Sequence, residues 1–291
     1  MKIRAHETFC IRKGWIHKGV KNIIAYPRLF TNKDLNPCDI LGIGTNMVKS
    51  LRYWLLALGI MEEVSEGNQK IQRTTPLGAL IDKYDRYYEE DGTNWLLHYM
   101  LSKNEDLATS WFWFFNVFKV NSFDKTTFVK ELTDYLNTEY SYQPSDKMLG
   151  DDFDCIIKTY CSKDKVESPE DINECPLTDL HLVEVADNKF YKKNTPDKGA
   201  IHPLIILAVI ADNAASKEVL ISDLLNSQCN IGKTFNLDRA TCFYYLEQLQ
   251  KKGYIDIVRT AGLDVIKLKK RLDFLDTVEL YYKEINGVSL Q

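Results

Sequence analysis

The stretch NPCDILGIGTNMVKSLRYWLLALGIMEEVSEGNQKIQRTTPLGAL, residues 36–80, reads as a helix-turn-helix followed by a two-stranded wing, the outline of a DNA-binding module. Met47, Val48, Leu51, Trp54, Leu55 and Leu58 recur at the spacing of one buried helix face, while Thr45, Asn46, Lys49, Ser50, Arg52 and Tyr53 gather opposite. Gly42 and Gly44 permit a tight entry turn, Thr45 is the expected N-cap, and Gly59 closes the helix where a left-handed residue is needed. Residues 60–65 and 69–74 are predicted strands around Glu66, Gly67 and Asn68, with Lys70 and Arg73 on the returning strand. The side-chain chemistry suits DNA. Lys49 and Arg52 match phosphates or guanine edges, Asn46 matches adenine, and Thr45 and Ser50 donate to phosphate oxygens. The candidate DNA face is therefore Thr45, Asn46, Lys49, Ser50, Arg52 and Tyr53, with Lys70 and Arg73 on the wing. A merely solvated amphipathic helix would show the same spacing, and it is the wing and the local charge that favour duplex DNA as the partner.

Working outward, the charge is uneven. The 291 residues carry a formal net charge of −4, which taken alone argues against a phosphate binder. Residues 1–80, however, hold 12 Lys and Arg against 6 Asp and Glu; residues 81–199 hold 14 against 24, and residues 200–291 hold 11 against 11. The positive charge travels with the predicted wing. A 45% hydrophobic and 12% aromatic composition supplies ample core for two or three domains. No apolar run is long enough to span a bilayer and no signal-peptide core is seen, so no membrane partner and a cytoplasmic location are expected. Seven cysteines, an odd number, read as reduced thiols.

The remaining chain suggests a mainly α protein with two winged-helix modules flanking a helical bundle. Residues 1–85 form the N-terminal winged-helix module, and HETFCIRKGWIHKGV near its start predicts a helix behind the recognition helix, its His6, Arg12, Lys13, His17 and Lys18 extending the phosphate-facing surface. Residues 86–162 form an aromatic-rich bundle: NWLLHYMLS, LATSWFWFFNVF and FDKTTFVKELTDYL predict three helices, the middle one central because Trp111, Phe112, Phe114, Phe115 and Phe118 surround it. A further helix is predicted over 151–160. Residues 163–199 form a connector, with an acidic loop, KDKVESPEDINE, then a helical turn and a hairpin around Asp187 and Asn188. Residues 200–291 repeat the first architecture: HPLIILAVIADNA, SDLLN, a helix LDRATCFYYLEQLQKKG ended by Gly253, and strands YIDIVR and DVIKLK around Ala261 and Gly262. The second recognition helix carries Arg239, Thr241, Tyr244 and Gln248 beside Asp238 and Glu247, a balance that suits protein contact as well as DNA contact.

Catalytic chemistry is sparsely marked, and no catalytic residue is assigned. Cys155, Cys161, Cys175 and His181 have the residue types of a zinc site but not the close pairing of zinc fingers, so no metal site is expected there. His6 with Glu7, and Glu89, Glu90, Asp91 with His98, are the acid and imidazole groups a Mg- or Mn-dependent nickase would need. Glu89 to Asp91, and likewise Asp151, Asp152 and Asp154, are more simply read as acidic helix starts. No cofactor motif is present: phosphate loop, dinucleotide fingerprint and nucleophile elbow are all absent.

HETFCIRKGW, LGIGTNMVKSLRYWL, TPLG, TNWLLHYML and CPLTDLHLV, in this order, resemble a bacterial domain family of unknown function encoded beside phosphoadenylylsulfate-reductase-like enzymes in DNA phosphorothioation and related defence operons. The likeness spans roughly residues 6–285. It implies a relative of the DNA-nicking component of the single-strand DNA sulfur-modification system, working with a cysteine desulfurase, an ATP-dependent sulfur-transfer enzyme and an ATPase, and it carries over no catalytic motif. Three functions follow as expectations: a DNA-binding subunit of such a system, a metal-dependent nickase, or a protein-binding adaptor with no DNA affinity of its own.

Overall fold

Asn36 starts the first helical pair, its side chain accepting from the Cys38 amide at 3.1 Å with Pro37 in the first helical position. The computed structural model describes residues 1–161, 175–187, 189–260 and 263–287. The acidic loop expected at 163–174, Asn188 of the second hairpin and the Ala261 and Gly262 turn lie outside the described residues. Close contacts divide the chain into two units, Met1–Phe114 with Phe118–Lys193, and Phe115–Val117 with Asn194–Gln291.

In the first unit, α1 (Trp15–Ala25), α2 (Pro37–Leu41) and α3 (Thr45–Ala57) lead into an antiparallel hairpin of β1 (Met61–Glu66) and β2 (Gln69–Thr74). Gly42 takes φ +63 between α2 and α3, and Gly59 takes φ +64 after α3. Thr45 is not the cap: Gly44 holds the extended cap position and Thr45 is the first helical residue. α1 lies so close to α3 that a Cβ on Gly19 would sit 2.6 Å from Leu55 Cδ1. α4 (Pro76–Tyr84) follows at once. Thr75 caps it by accepting from Gly78 N at 3.0 Å and donates its own hydroxyl to Gly59 O at 2.6 Å. A Cβ on Gly78 would stand 2.3 Å from the Ile60 carbonyl oxygen, so the helix start and the hairpin start are in backbone contact.

The bundle consists of α5 (Asp91–Ser102), α6 (Thr109–Asn116), α7 (Lys125–Tyr140) and α8 (Asp146–Tyr160). As its all-round apolar sequence predicts, α6 is central, with Trp111 to Phe115 all at most 4% exposed. Trp113 meets Phe128 edge-on, with ring centres 5.1 Å apart. The hairpin expected around Asp187 is β4 (Val183–Asp187) with β5 (Phe190–Lys193), and one strand that the sequence reading did not include, β3 (Ser122–Phe123), pairs with β5 to give the order β3-β5-β4. A 3-10 turn, Pro176–Leu180, precedes them.

The acidic starts need correcting. α8 begins at Asp146, so Asp151, Asp152 and Asp154 lie within the helix. Asp154 binds Lys125 at 2.7 Å and Asp151 binds Arg4 at 2.5 Å. Asp152, 1% exposed, accepts from His6 Nε2 at 2.7 Å, Ser110 Oγ at 2.5 Å and the Arg4 amide at 2.9 Å. The Thr8 amide donates to His6 Nδ1 at 3.1 Å, which places the imidazole proton on Nε2, facing the carboxylate.

In the second unit, α9 (Pro203–Asn213), β6 (Glu218–Leu220), α10 (Ile221–Asn226), α11 (Ile231–Thr234), α12 (Arg239–Lys251), β7 (Ile255–Thr260), β8 (Leu263–Leu268) and α13 (Phe274–Ile285) follow in order. The strands pair as β6-β8-β7, all antiparallel. Residues 204–210 of α9 are all buried because α12 and α13 pack against it. Neither β6 nor α13 was expected. The architecture is mainly α with three small sheets.

Two outcomes follow for stability. Gly78→Ala forces its methyl into the Ile60 carbonyl and should cost about 1–3 kcal/mol by thermal or urea melting, whereas Gly44→Ala, with nothing within 4 Å and φ −68, should melt like the parent. Asp152→Ala strands His6 and Ser110 in the core and should cost about 3–5 kcal/mol; an unchanged melt would show that the buried cluster does not hold the unit together.

Candidate nucleic-acid interface

α3 presents far less of itself to solvent than its polar sequence face suggests. Val48, Leu51, Trp54 and Leu55 are buried as predicted, but so are Ser50 at 0% and Tyr53 at 7% exposure. Both leave the candidate DNA face. Ser50 sits inside the fold, and Tyr53 turns toward His6, ring centres 6.3 Å apart, where burial, then the Asp152 charge, pushes its hydroxyl well above its ordinary value. The reason is the N-terminal segment: it covers α3, and Phe9 O accepts the Trp54 indole N–H at 3.0 Å. Thr45, Asn46 and Lys49 remain exposed.

The β1-β2 hairpin redistributes the remaining cations. Arg52, from α3, holds Glu63 of β1 in a two-point fork, Nε to Oε1 and Nη2 to Oε2 both at 2.7 Å. Gln72 adds a bond to Glu63 Oε1 at 3.2 Å, while its backbone amide donates to Pro27 O at 2.6 Å. Burial pushes the Glu63 carboxyl up, but the Arg52 hydrogen bonds and charge, with Gln72 and Lys70, outweigh this and leave it below its ordinary value. Arg52 is thus a clamp between helix and hairpin. Arg73 pairs across the strands with Glu62 at 2.8 Å, on the hairpin face opposite to that of Gln72 and Glu63. Lys70 shares the face of Gln72 and is exposed. Lys49 and Lys70 have no ion-pair partner among the described residues.

Other basic residues expected to widen this surface are partly used inside the unit. Arg12 stacks on Phe9 and Trp15, and Lys18 Nζ donates to Leu41 O at 3.1 Å. In the second unit, α12 exposes Arg239 but buries Thr241, whose amide Asp238 caps at 2.7 Å. Tyr244 and Gln248 are half-buried.

The sequence of the chain matches, over residues 3–282, the family described as protein of unknown function (DUF4007). The chain belongs to the DUF4007 family. Two solved structures share its fold: magnesium ion-bound SspB, with TM-score 0.85 and 22% identity, and SspB, with TM-score 0.85 and 23% identity, each alignment covering 99% of this chain and 88% of the other. No curated protein matches the chain.

The motif-like phrases of this DUF4007 chain are largely internal fastenings. His6 binds Asp152; His98 Nδ1 lies 2.8 Å from the Tyr160 hydroxyl and is 0% exposed; Thr93 donates to Asp85 Oδ2 at 2.6 Å. Asp85 also accepts the amides of Glu89 and Glu90, at 2.9 and 3.1 Å, so the acidic run opening α5 is a helix-entry device. The imidazoles expected of a nickase are thus committed to the core. Cys155 and Cys175 are buried, and their thiols are pushed up, first by burial and then by the neighbouring Cys10. Cys161 donates to Val183 O at 3.2 Å, and burial pushes its thiol up to about 12. These thiols are held protonated. Among the described residues, no group of three or more His, Cys, Asp or Glu side chains is arranged to hold a metal ion, and this includes the Cys155, Cys161, Cys175 and His181 set and the carboxylates considered for magnesium or manganese.

Arg52→Ala should destabilise the protein by about 1–2 kcal/mol, read by urea melting, because Glu63 loses a charged two-point hydrogen bond. Because folding lowers the Glu63 carboxyl, this stabilisation is full above the ordinary carboxylate range and fades as acid protonates Glu63. The difference between parent and variant should therefore shrink at low pH. Arg52→Lys should not restore the loss, since an ammonium lacks the planar fork.

Proposed function

We propose that this protein is the DNA-docking subunit of a phosphorothioation or related sulfur-modification system, and that it grips duplex DNA through the first turns of α3 and the β1-β2 wing. The observation carrying this reading is the set Thr45, Asn46 and Lys49, exposed on one end of α3, beside a hairpin whose α3-facing side ends in exposed Lys70. Recognition helices in winged-helix proteins present their N-terminal residues to base edges while the wing meets the backbone. The helix, turn, helix and hairpin order of residues 15–74 supports that comparison, and so does the α9, β6, α10, α11, α12, β7, β8 order with its β6-β8-β7 sheet. Likeness to SspB and the phosphorothioation-operon resemblance support the biological setting. Partners of the sulfur-delivery type, a cysteine desulfurase, a sulfur-transfer enzyme and an ATPase, are proposed from that resemblance alone.

In this scheme Lys49 and Lys70 neutralise phosphates, Asn46 reads a base edge, Thr45 donates to the backbone, and Arg52 positions the wing. Arg73 lies on the other hairpin face and is paired with Glu62, so it contributes least among the exposed cations of helix and hairpin. The test is fluorescence anisotropy on duplex DNA at several salt concentrations. Lys49→Ala with Lys70→Ala should weaken binding and flatten the salt dependence by a slope of about 2, roughly one per phosphate contact. An unchanged slope removes α3 and the wing from the interface, and absence of duplex binding by the parent, with capture of the sulfur-delivery subunits, would favour the adaptor reading.

A further inference from the structure

We infer that the turn of the β1-β2 hairpin is gripped by DNA backbone on both of its faces, with Lys70 taking a phosphate on one and Arg28 a phosphate on the other. This surface extends the proposed duplex docking, on which it rests, by a residue from outside α3 and the hairpin. Residues 27–31, between α1 and α2, run beside the outer edge of β2 and are laced to it. Pro27 O accepts the Gln72 amide at 2.6 Å, the Phe30 amide donates to Gln72 Oε1 at 3.3 Å, and the Thr31 hydroxyl donates to Lys70 O at 2.6 Å. From this anchored segment the Arg28 side chain reaches the hairpin turn, where its Nη1 donates to Gln69 Oε1 at 2.5 Å. Gln69 pairs with Glu66 across the turn formed by Gly67 and Asn68. Successive strand residues alternate in face, so Arg28 brings its charge to the face opposite that of Lys70.

The partners of the other arginines of the first unit set Arg28 apart. Arg4, Arg52, Arg73 and Arg86 each hold a carboxylate, on Asp151, Glu63, Glu62 and Asp82, and Arg12 lies over the rings of Phe9 and Trp15. Arg28 is exposed, and among the described residues its side-chain partner is a neutral amide oxygen. An amide fixes the direction of a guanidinium without cancelling its charge, and it leaves most of the N–H donors available. A planar fork that is aimed and uncompensated suits the paired oxygens of a phosphodiester. Lys70 is likewise exposed and without an ion pair among the described residues. A hairpin lying against one backbone would use the cation of one face. Two unspent cations on opposite faces of one turn match the two backbones that border a groove, and the minor groove, about 6 Å wide, brings its backbones close enough for one turn to meet both. Glu66 is exposed on the Arg28 face and makes no ion pair with it. Its charge opposes a phosphate there, which gives the arrangement a second handle.

The experiment is anisotropy of the full chain on a labelled A·T-rich duplex at several salt concentrations. Arg28→Gln should weaken binding roughly fivefold and lower the salt slope by about 1, and combined with Lys70→Ala the loss of slope should reach about 2. Glu66→Gln, which removes the opposing carboxylate, should tighten binding. Filling the minor groove beforehand with netropsin should weaken the parent and leave the Arg28→Gln, Lys70→Ala protein nearly unaffected. Arg28 and Glu66 are exposed, so these variants should melt with the parent, and a changed affinity reports on the surface rather than on folding. If Arg28→Gln keeps the affinity and slope of the parent while Lys49→Ala lowers them, or if netropsin leaves the parent unaffected, the two-faced grip is wrong and duplex docking through α3 stands. A parent that binds no duplex overturns both.

Discussion

The carboxylate of Asp152 is the point on which the first unit depends. A buried charge without partners is strongly unfavourable, and here three donors from two directions meet it: the Arg4 amide and His6 imidazole from the N-terminal segment, and the Ser110 hydroxyl from α6. The segment so fixed holds Arg4, Glu7 and Thr8 at φ +58, +51 and +66, a conformation that non-glycine residues keep only where their surroundings dictate it. Its carbonyl at Phe9 then takes the Trp54 indole. One buried acid thus links α8 and α6 through the N-terminal segment to the back of α3.

That linkage decides what α3 can offer outward. With Trp54, Leu51, Ser50 and Tyr53 all covered, only the first turns of the helix and the edge carrying Arg52 reach solvent. Arg52 is then drawn sideways to Glu63, so a residue whose type suits DNA instead sets the angle between helix and hairpin. The free cations of helix and hairpin are the lysines, whose ammonium groups act as point charges rather than planar forks. On a nucleic acid, such point charges suit phosphates better than base edges.

Much of the local structure was legible because its causes are local. Apolar spacing in α3, the glycines at 42, 59 and 67, and the apolar wrap of α6 each act within a few residues. What was not legible depends on distant partners. Asp152 reads as a helix-start acid until His6, 146 residues away, is seen beside it, and no periodicity marks such a pair. Arg52 and Glu63 are only 11 residues apart, and the acids of the hairpin were a usable warning that the basic face would be partly neutralised. The helix α13 was missed although Val278, Tyr281 and Tyr282 are buried along it and Asp273 caps it by accepting from Asp276 N at 2.7 Å, a local signal that was present and unread.

The helices α3 and α12, each followed by an antiparallel hairpin, treat arginine in opposite ways. At α3 the guanidinium of Arg52 is held by a carboxylate and Lys49 and Lys70 are left to face outward; at α12 Asp264 takes the helix arginine while the strand arginine lies on an aromatic ring. Formal charge hides this difference, since residues 200–291 are neutral and residues 1–80 are basic. What a surface can bind depends on which charges are already spent. By that criterion the neutral stretch keeps Arg259 on the Phe243 ring, whereas Arg52 beside the β1-β2 hairpin is committed to Glu63.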